Sequence, residues 1–149
     1  MNKKHIDSWI EVCKVIAKNS DCHRAQHGAV IVEPKSNAMI ASGYNGGQRG
    51  GSSLCGEYEC QRNVLKIKSG ENIEIGCIHA EMNALINLVR VGGVSSIGCD
   101  IYVTGEPCLM CSKLIQQAGI RRAYIIKGGY SSDDGPIFLK KHGVEVIYV

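Results

Sequence analysis

The second half of the chain alternates between two periodicities. Ala84, Leu85, Leu88 and Val89 recur at helical spacing, Gly92-Gly93 would end that helix, and Ile101-Tyr102-Val103-Thr104 then reads as a strand. Leu114, Ile115 and Ala118 mark another helix and Ala123-Tyr124-Ile125-Ile126 another strand; a short helix follows, and Val144 to Val149 supply the last strand. Strand, helix, strand, helix, strand requires crossover connections, which predicts a mixed sheet covered by helices.

Ahead of that pattern, Ile6, Trp9, Ile10, Cys13, Ile16 and Ala17 share one helical face, with Asp7, Glu11, Lys14 and Lys18 on the other, so residues 4 to 19 read as an amphipathic helix. Ala29-Val30-Ile31-Val32 and Ala38-Met39-Ile40-Ala41 are joined across Glu33-Pro34-Lys35-Ser36-Asn37 and predict a hairpin. From Gly43 to Gly76 periodicity fails, and a loop this long in a small domain is usually functional. The chain has 149 residues, which suits a single domain over 1–149, with a long loop at about 45–77, that buries roughly two-thirds of its unfolded surface. With 44% apolar and 21% charged residues, a disordered chain or a fibre is excluded. Seventeen basic against 14 acidic side chains leave +3, which argues for neither nucleic acid nor a membrane surface but suits a small anion. No apolar run reaches the length of a membrane span, and Asp7 and Glu11 interrupt the N-terminus where a signal peptide needs an apolar stretch. A cytoplasmic location is the expectation.

Eight cysteines are many for a reducing compartment, and two form Cys108-Leu109-Met110-Cys111, which makes metal binding the leading explanation. His79-Ala80-Glu81 opens one helix and Pro107-Cys108 to Cys111 opens another, so three soft or borderline ligands at two helix N-termini can converge on one zinc ion. Cys-x-x-Cys places two thiolates on one turn, where the positive end of the helix dipole lowers their pKa. Three protein ligands leave a fourth position for water, whose pKa the metal would bring towards 7. Glu81, two residues past the histidine, is placed to carry a proton from that water to a ring nitrogen and a leaving amine. Either piece alone is weak, since Cys-x-x-Cys is also a redox pair, half of a zinc ribbon or two buried small residues. Together, in this order and with Pro107 before the first cysteine, they match a zinc-deaminase signature.

On these residues the sequence resembles the cytidine and deoxycytidylate deaminase superfamily, and within it the dCMP deaminases, from about Asp21 to Val149. The matching segments are Gly28 to Val32, Gly43-Tyr44-Asn45-Gly46, His79 to Leu85, Pro107-Cys108 to Cys111 and Lys113 through Ile120; Met82-Asn83-Ala84 points to the nucleotide deaminases. The resemblance implies a three-layer α-β-α fold around a five-stranded mixed sheet, hydrolytic deamination of dCMP to dUMP and ammonia, and in many members a homohexamer regulated by dCTP and dTTP. Carried over by motif, His79, Cys108 and Cys111 would hold the catalytic zinc, Glu81 would shuttle protons, and Asn45, Arg24, Ala80 and Tyr130 would meet the substrate, Asn45 at the sugar and Arg24 near the phosphate. A surface arginine and an exposed loop tyrosine are the plain alternatives for Arg24 and Tyr130.

Glu106-Pro107-Cys108-Leu109-Met110-Cys111 departs from the small or apolar residue that nucleotide deaminases commonly carry before Pro-Cys, and resembles tRNA-adenosine and free-base deaminases. The modest charge and single Phe stand against RNA, and dCTP or a free base are the other substrates in play. Cys55, Cys60 and Cys77, with Cys22, His23 or His27, could bind a second, structural zinc, and a triphosphate effector could bring Mg. Cys13 and Cys99 lie in apolar patterns and read as core, and most of Gly46-Gly47 and Gly50-Gly51 as turns. From a different class stands a non-catalytic binding module in which zinc only ties two helices together.

Overall fold

The computed structural model describes residues 2–50, 59–128 and 132–149. Its centre is a five-stranded sheet, built from β1 (Gly28–Glu33), β2 (Ala38–Tyr44), β3 (Asp100–Val103), β4 (Arg122–Ile125) and β5 (Glu145–Tyr148) in the order β2-β1-β3-β4-β5. β1 runs antiparallel to both β2 and β3, while β3–β4 and β4–β5 are parallel. The two parallel connections are made by α4 (Leu109–Gln117) and α5 (Asp134–Lys141), the crossovers that the alternating second half predicts.

Helices cover both faces. α1 (Lys3–Ala17), capped by the Asn2 side chain on the Lys4 amide, lays Ile6, Trp9, Ile10, Cys13 and Ile16 against Val30, Val32, Tyr102 and Tyr124. On the other face α3 (Ala80–Arg90), α4 and α5 pack Ala80, Ala84, Leu88, Ile115 and Leu139 onto Ala29, Ile31, Ile101, Val103, Ala123 and Ile125. β1 and β3 are therefore buried on both sides, which is why they read as continuous apolar runs. Trp9 Nε1 donates to Asn37 Oδ1 at 2.8 Å, tying α1 to the hairpin turn, where Asn37 has φ 52°. Inside the sheet, the fully buried Asp100 accepts two bonds from Arg122, at 2.9 and 2.7 Å.

Cys13 and Cys99 are buried as expected. Val89 is not part of the helix's inner face: it is 79% exposed, because the turn that aims Ala84 and Leu88 at the sheet carries Val89 outward. The aperiodic stretch contains a helix that the sequence reading lacks, α2 (Gln61–Val64), and Gly46 pairs with Ile78 in an isolated antiparallel bridge. Among the described residues no helix is long and apolar enough to cross a membrane.

Candidate active site

The site forms where β3 ends and two helices begin, the edge at which open α/β sheets place their ligands. Past Val103 the chain turns through Thr104, Gly105, Glu106 and Pro107 into Cys108, the N-cap of α4, whose thiol sulfur accepts from the Cys111 amide at 3.4 Å. His79 is the N-cap of α3, so both motifs stand at the positive ends of helices. Strand β1 locks the turn in place: Gly28 N donates to Thr104 Oγ1 at 2.8 Å and Thr104 N to Gly28 O at 3.1 Å.

His79 Nδ1 lies 3.5 Å from Cys108 Sγ and 3.5 Å from Cys111 Sγ, and the three ligand atoms all fall within 4.8 Å of one another. A tetrahedral zinc with ordinary Zn–S and Zn–N bonds would separate a thiolate from an imidazole nitrogen by about 3.6 Å, so the trio fits that ion. Among the described residues it is the one group of three or more such side chains gathered closely enough to hold a metal. The donors are partly prepared for it. A hydrogen bond from the Cys111 thiol, with a further contribution from His79, pulls the Cys108 thiol down to about 4. Cys111, the donor in that pair and deeply buried, is pushed up. His79 is raised, chiefly by its bond to Cys108.

Glu81 sits in the first turn of α3 and is 8% exposed; burial raises its pKa, against an opposing pull from His79. Ala80 and Glu81 line one cavity with His79, Cys108, Arg24 and Asn45, so the structure brings together every expected site residue that it describes. Tyr130 lies outside the described residues. The Asn45 side chain is engaged within the protein: Oδ1 accepts from His27 N at 2.7 Å and Nδ2 donates to Ala25 O at 2.9 Å. Arg24 is exposed, and its Nη1 donates to Ile67 O at 3.1 Å.

Residues that the sequence reading did not place at the active site also line this cavity: His27, expected only at a second metal, and Arg62, Ser69, Ile73 and Thr104. His27 faces it with Nδ1 against Thr104 O at 3.2 Å. Glu106 lines it as well, with Oε2 buried and lacking a hydrogen-bond partner among the described residues. Of the residues expected at a second metal, Cys22 is hydrogen-bonded to Cys77, which lowers the Cys22 thiol to about 5. Cys60 is buried, His23 is exposed and Cys55 lies outside the described residues.

A five-stranded α/β fold with a His-Cys-Cys ligand set at two helix N-termini defines a class, and comparison with known proteins names it. The chain belongs to the cytidine and deoxycytidylate deaminase family, whose zinc-binding region matches residues 3–127. ComE operon protein 2 of Bacillus subtilis (strain 168) is 41% identical over 113 residues, 74% of this chain and 52% of that protein, so the chain spans about half the length of that relative. The deoxycytidylate deaminase of Mycobacterium phage D29 is 36% identical over 118 residues, 76% of this chain and 88% of that protein. The crystal structure of the dCMP deaminase from cyanophage S-TIM5, in complex with dCMP and dUMP, superposes with a TM-score of 0.82 at 27% identity, covering 100% of this chain and 99% of that one.

Proposed function

We propose that residues 1–149 form one zinc-dependent dCMP deaminase domain, which converts dCMP and water to dUMP and ammonia. The observation that carries the reading is the His79–Cys108–Cys111 trio, within 4.8 Å, with the buried carboxyl of Glu81 in the same cavity. A zinc ion held by those three side chains would leave a fourth position to water and bring that water's pKa towards 7. In the reaction a C–O bond forms at the amine-bearing carbon of cytosine and its C–N bond breaks. Glu81 takes a proton from the attacking water, passes it to the ring nitrogen and delivers a proton to the departing amine. Burial suits Glu81 to this task, because desolvation raises its pKa and so favours the form that holds a proton. Asn45 would stand at the sugar, Arg24 at the phosphate, and Ala80 and Tyr130 against the rest of the nucleotide.

The test is ammonia release from purified, zinc-loaded protein given dCMP, deoxycytidine, dCTP, cytosine or a tRNA anticodon stem-loop. Turnover of dCMP above the others is expected. Turnover of the stem-loop or the free base alone would move the assignment to the chemistry that Glu106-Pro107-Cys108 resembles, and silence on all five would favour a zinc-stabilised binding module.

Further features belong to the same reading. The hydrogen-bonded Cys22 and Cys77, with Cys55 or Cys60, supply donors for a second, structural zinc, which predicts two zinc ions per chain, falling to one in Cys22→Ser. Regulation by dCTP and dTTP, with Mg on the triphosphate, predicts a change in dCMP turnover when either is added. A homohexamer and a cytoplasmic location complete the proposal; the exposed Val89, Val91 and Ile97 support self-association.

A further inference from the structure

Arg62 is half-buried at the second position of the four-residue helix α2, and its guanidinium faces no carboxylate within 4 Å among the described residues. It is wrapped by backbone carbonyls instead. Nη1 donates to Asn72 O and Ile75 O, both at 2.8 Å, and Nη2 to Lys68 O at 2.7 Å and Glu71 O at 2.5 Å. All four terminal N–H groups of the fork are thereby used, on one segment of eight residues. That segment can curl around the side chain because Lys66, Gly70, Asn72 and Gly76 hold positive φ of 55°, 84°, 41° and 112°. Gly76 has a second reason to be glycine: a Cβ there would stand 2.8 Å from Arg62 Cδ, an atom held by the four bonds beyond it.

The segment is also a wall of the active-site cavity, to which Ser69, Gly70, Ile73 and Ile75 contribute along with His79 and Glu81, and Arg24 reaches the same loop through Ile67 O at 3.1 Å. In a trans peptide the C=O and N–H lie in one plane and point in opposite directions. When the Asn72 carbonyl turns in to the guanidinium, the N–H of Ile73 turns away from it, and Ile73 lines the cavity. Arg24, bonded to the same loop and lining the same cavity, puts a positive charge at this wall and suits it to an anion.

We propose that Arg62 is a positioning residue: by drawing the carbonyls of Lys68, Glu71, Asn72 and Ile75 inward it fixes the 66–76 loop as the wall that receives the phosphate end of the nucleotide. The inference rests on the nucleotide deaminase reading for its substrate, and on the hydrogen bonds alone for the loop. The experiment compares wild type with Arg62→Ala, Arg62→Lys and Gly76→Ala, all zinc-loaded. It measures zinc content, kcat and KM for dCMP, and the rate of trypsin cleavage after the exposed Lys66 and Lys68. In Arg62→Ala the KM should rise about tenfold or more while kcat stays within about threefold, and cleavage in the loop should quicken about tenfold or more. Arg62→Lys should behave like Arg62→Ala although it keeps the charge, because an ammonium cannot present a planar fork to four carbonyls. Gly76→Ala should shift the same quantities by displacing the arginine without removing it. A KM and a cleavage rate unchanged in Arg62→Ala would overturn the proposal, as would a loss confined to kcat or zinc content. If the wild type leaves dCMP untouched, the nucleotide reading fails by itself, and the trypsin comparison still decides whether Arg62 holds the loop.

Discussion

Glu81 reached the site through a local pattern, and its role is the most direct to test. Glu81→Gln keeps the shape of the side chain and removes its ability to take a proton, so kcat on dCMP should fall by about 10²- to 10⁴-fold with zinc content unchanged, read by ammonia release and metal analysis. Retained turnover would remove Glu81 from the mechanism. The ligands make a second, pH-dependent expectation. Cys108 already favours the thiolate, but Cys111 is pushed up and His79 is raised, so both must surrender protons to a metal. Lowering the pH returns those protons and competes with the ion; apparent zinc affinity should therefore climb about tenfold per pH unit or more steeply between pH 6 and 8, measured by chelator competition. His79, Glu81, Cys108 and Cys111 were legible as two pairs, each within one helical turn, but only the fold brings the α3 and α4 pairs together. Arg62 was not, because its partners are carbonyls of an aperiodic loop, and backbone acceptors leave no trace in residue identity. Asn45 was half legible. Gly-Tyr-Asn-Gly drew attention to it, yet only the structure shows that its amide already bridges Ala25 and His27.

Two contacts between elements carry the site. β2 and α3 approach so closely that a Cβ on Gly43 would fall 2.3 Å from Ala84 N and 2.5 Å from Ala80 O. Asn83 and Asn87 then donate to the Tyr44 and Ser42 carbonyls of that strand at 2.8 and 2.7 Å. The motifs Gly43-Tyr44-Asn45-Gly46 and His79-Ala80-Glu81-Met82-Asn83-Ala84 are thus two sides of one packing contact, and Gly43→Ala should strain backbone against backbone. We expect it to cost at least about 2 kcal/mol in chemical denaturation, and to loosen zinc because the displaced helix carries His79 at its N-cap. In the sheet, Arg122→Ala would leave Asp100, which has no exposed surface, with Arg121 at 3.7 Å as its one remaining ion-pair partner among the described residues, and should cost about 3–5 kcal/mol in the same measurement. Periodicity placed all five strands and three helices to within a few residues, because each has an apolar face to bury, while α5 was expected only by its place in the order. It missed α2, whose four residues include none that is buried, so no apolar stripe announces the helix.

At the scale of the whole molecule, the apolar residues that stay outside matter as much as those within. Val89, Val91, Val94 and Ile97 are 79%, 73%, 52% and 80% exposed, and they follow one another through the end of α3 and the turn towards β3. The sequence gives no warning of this, since Val89 completes the same helical spacing as Ala84, Leu85 and Leu88; only the direction in which the sheet lies decides which of them is covered. Scattered surface valines need no explanation, but a run of this kind beside the helix that bears His79 and Glu81 is the sort of surface that a second copy covers. If it is an interface, a charge placed there must be desolvated against apolar neighbours on association. Val89→Asp together with Ile97→Asp should then convert an assembly into 16.1 kDa monomers in sedimentation, while secondary structure and zinc content stay as they were, since neither side chain is buried in the isolated chain. The proposed hexamer predicts six times that mass for the wild type. A wild type that already sediments as a monomer at micromolar concentration would refute it and leave these residues without a covering partner of their own kind.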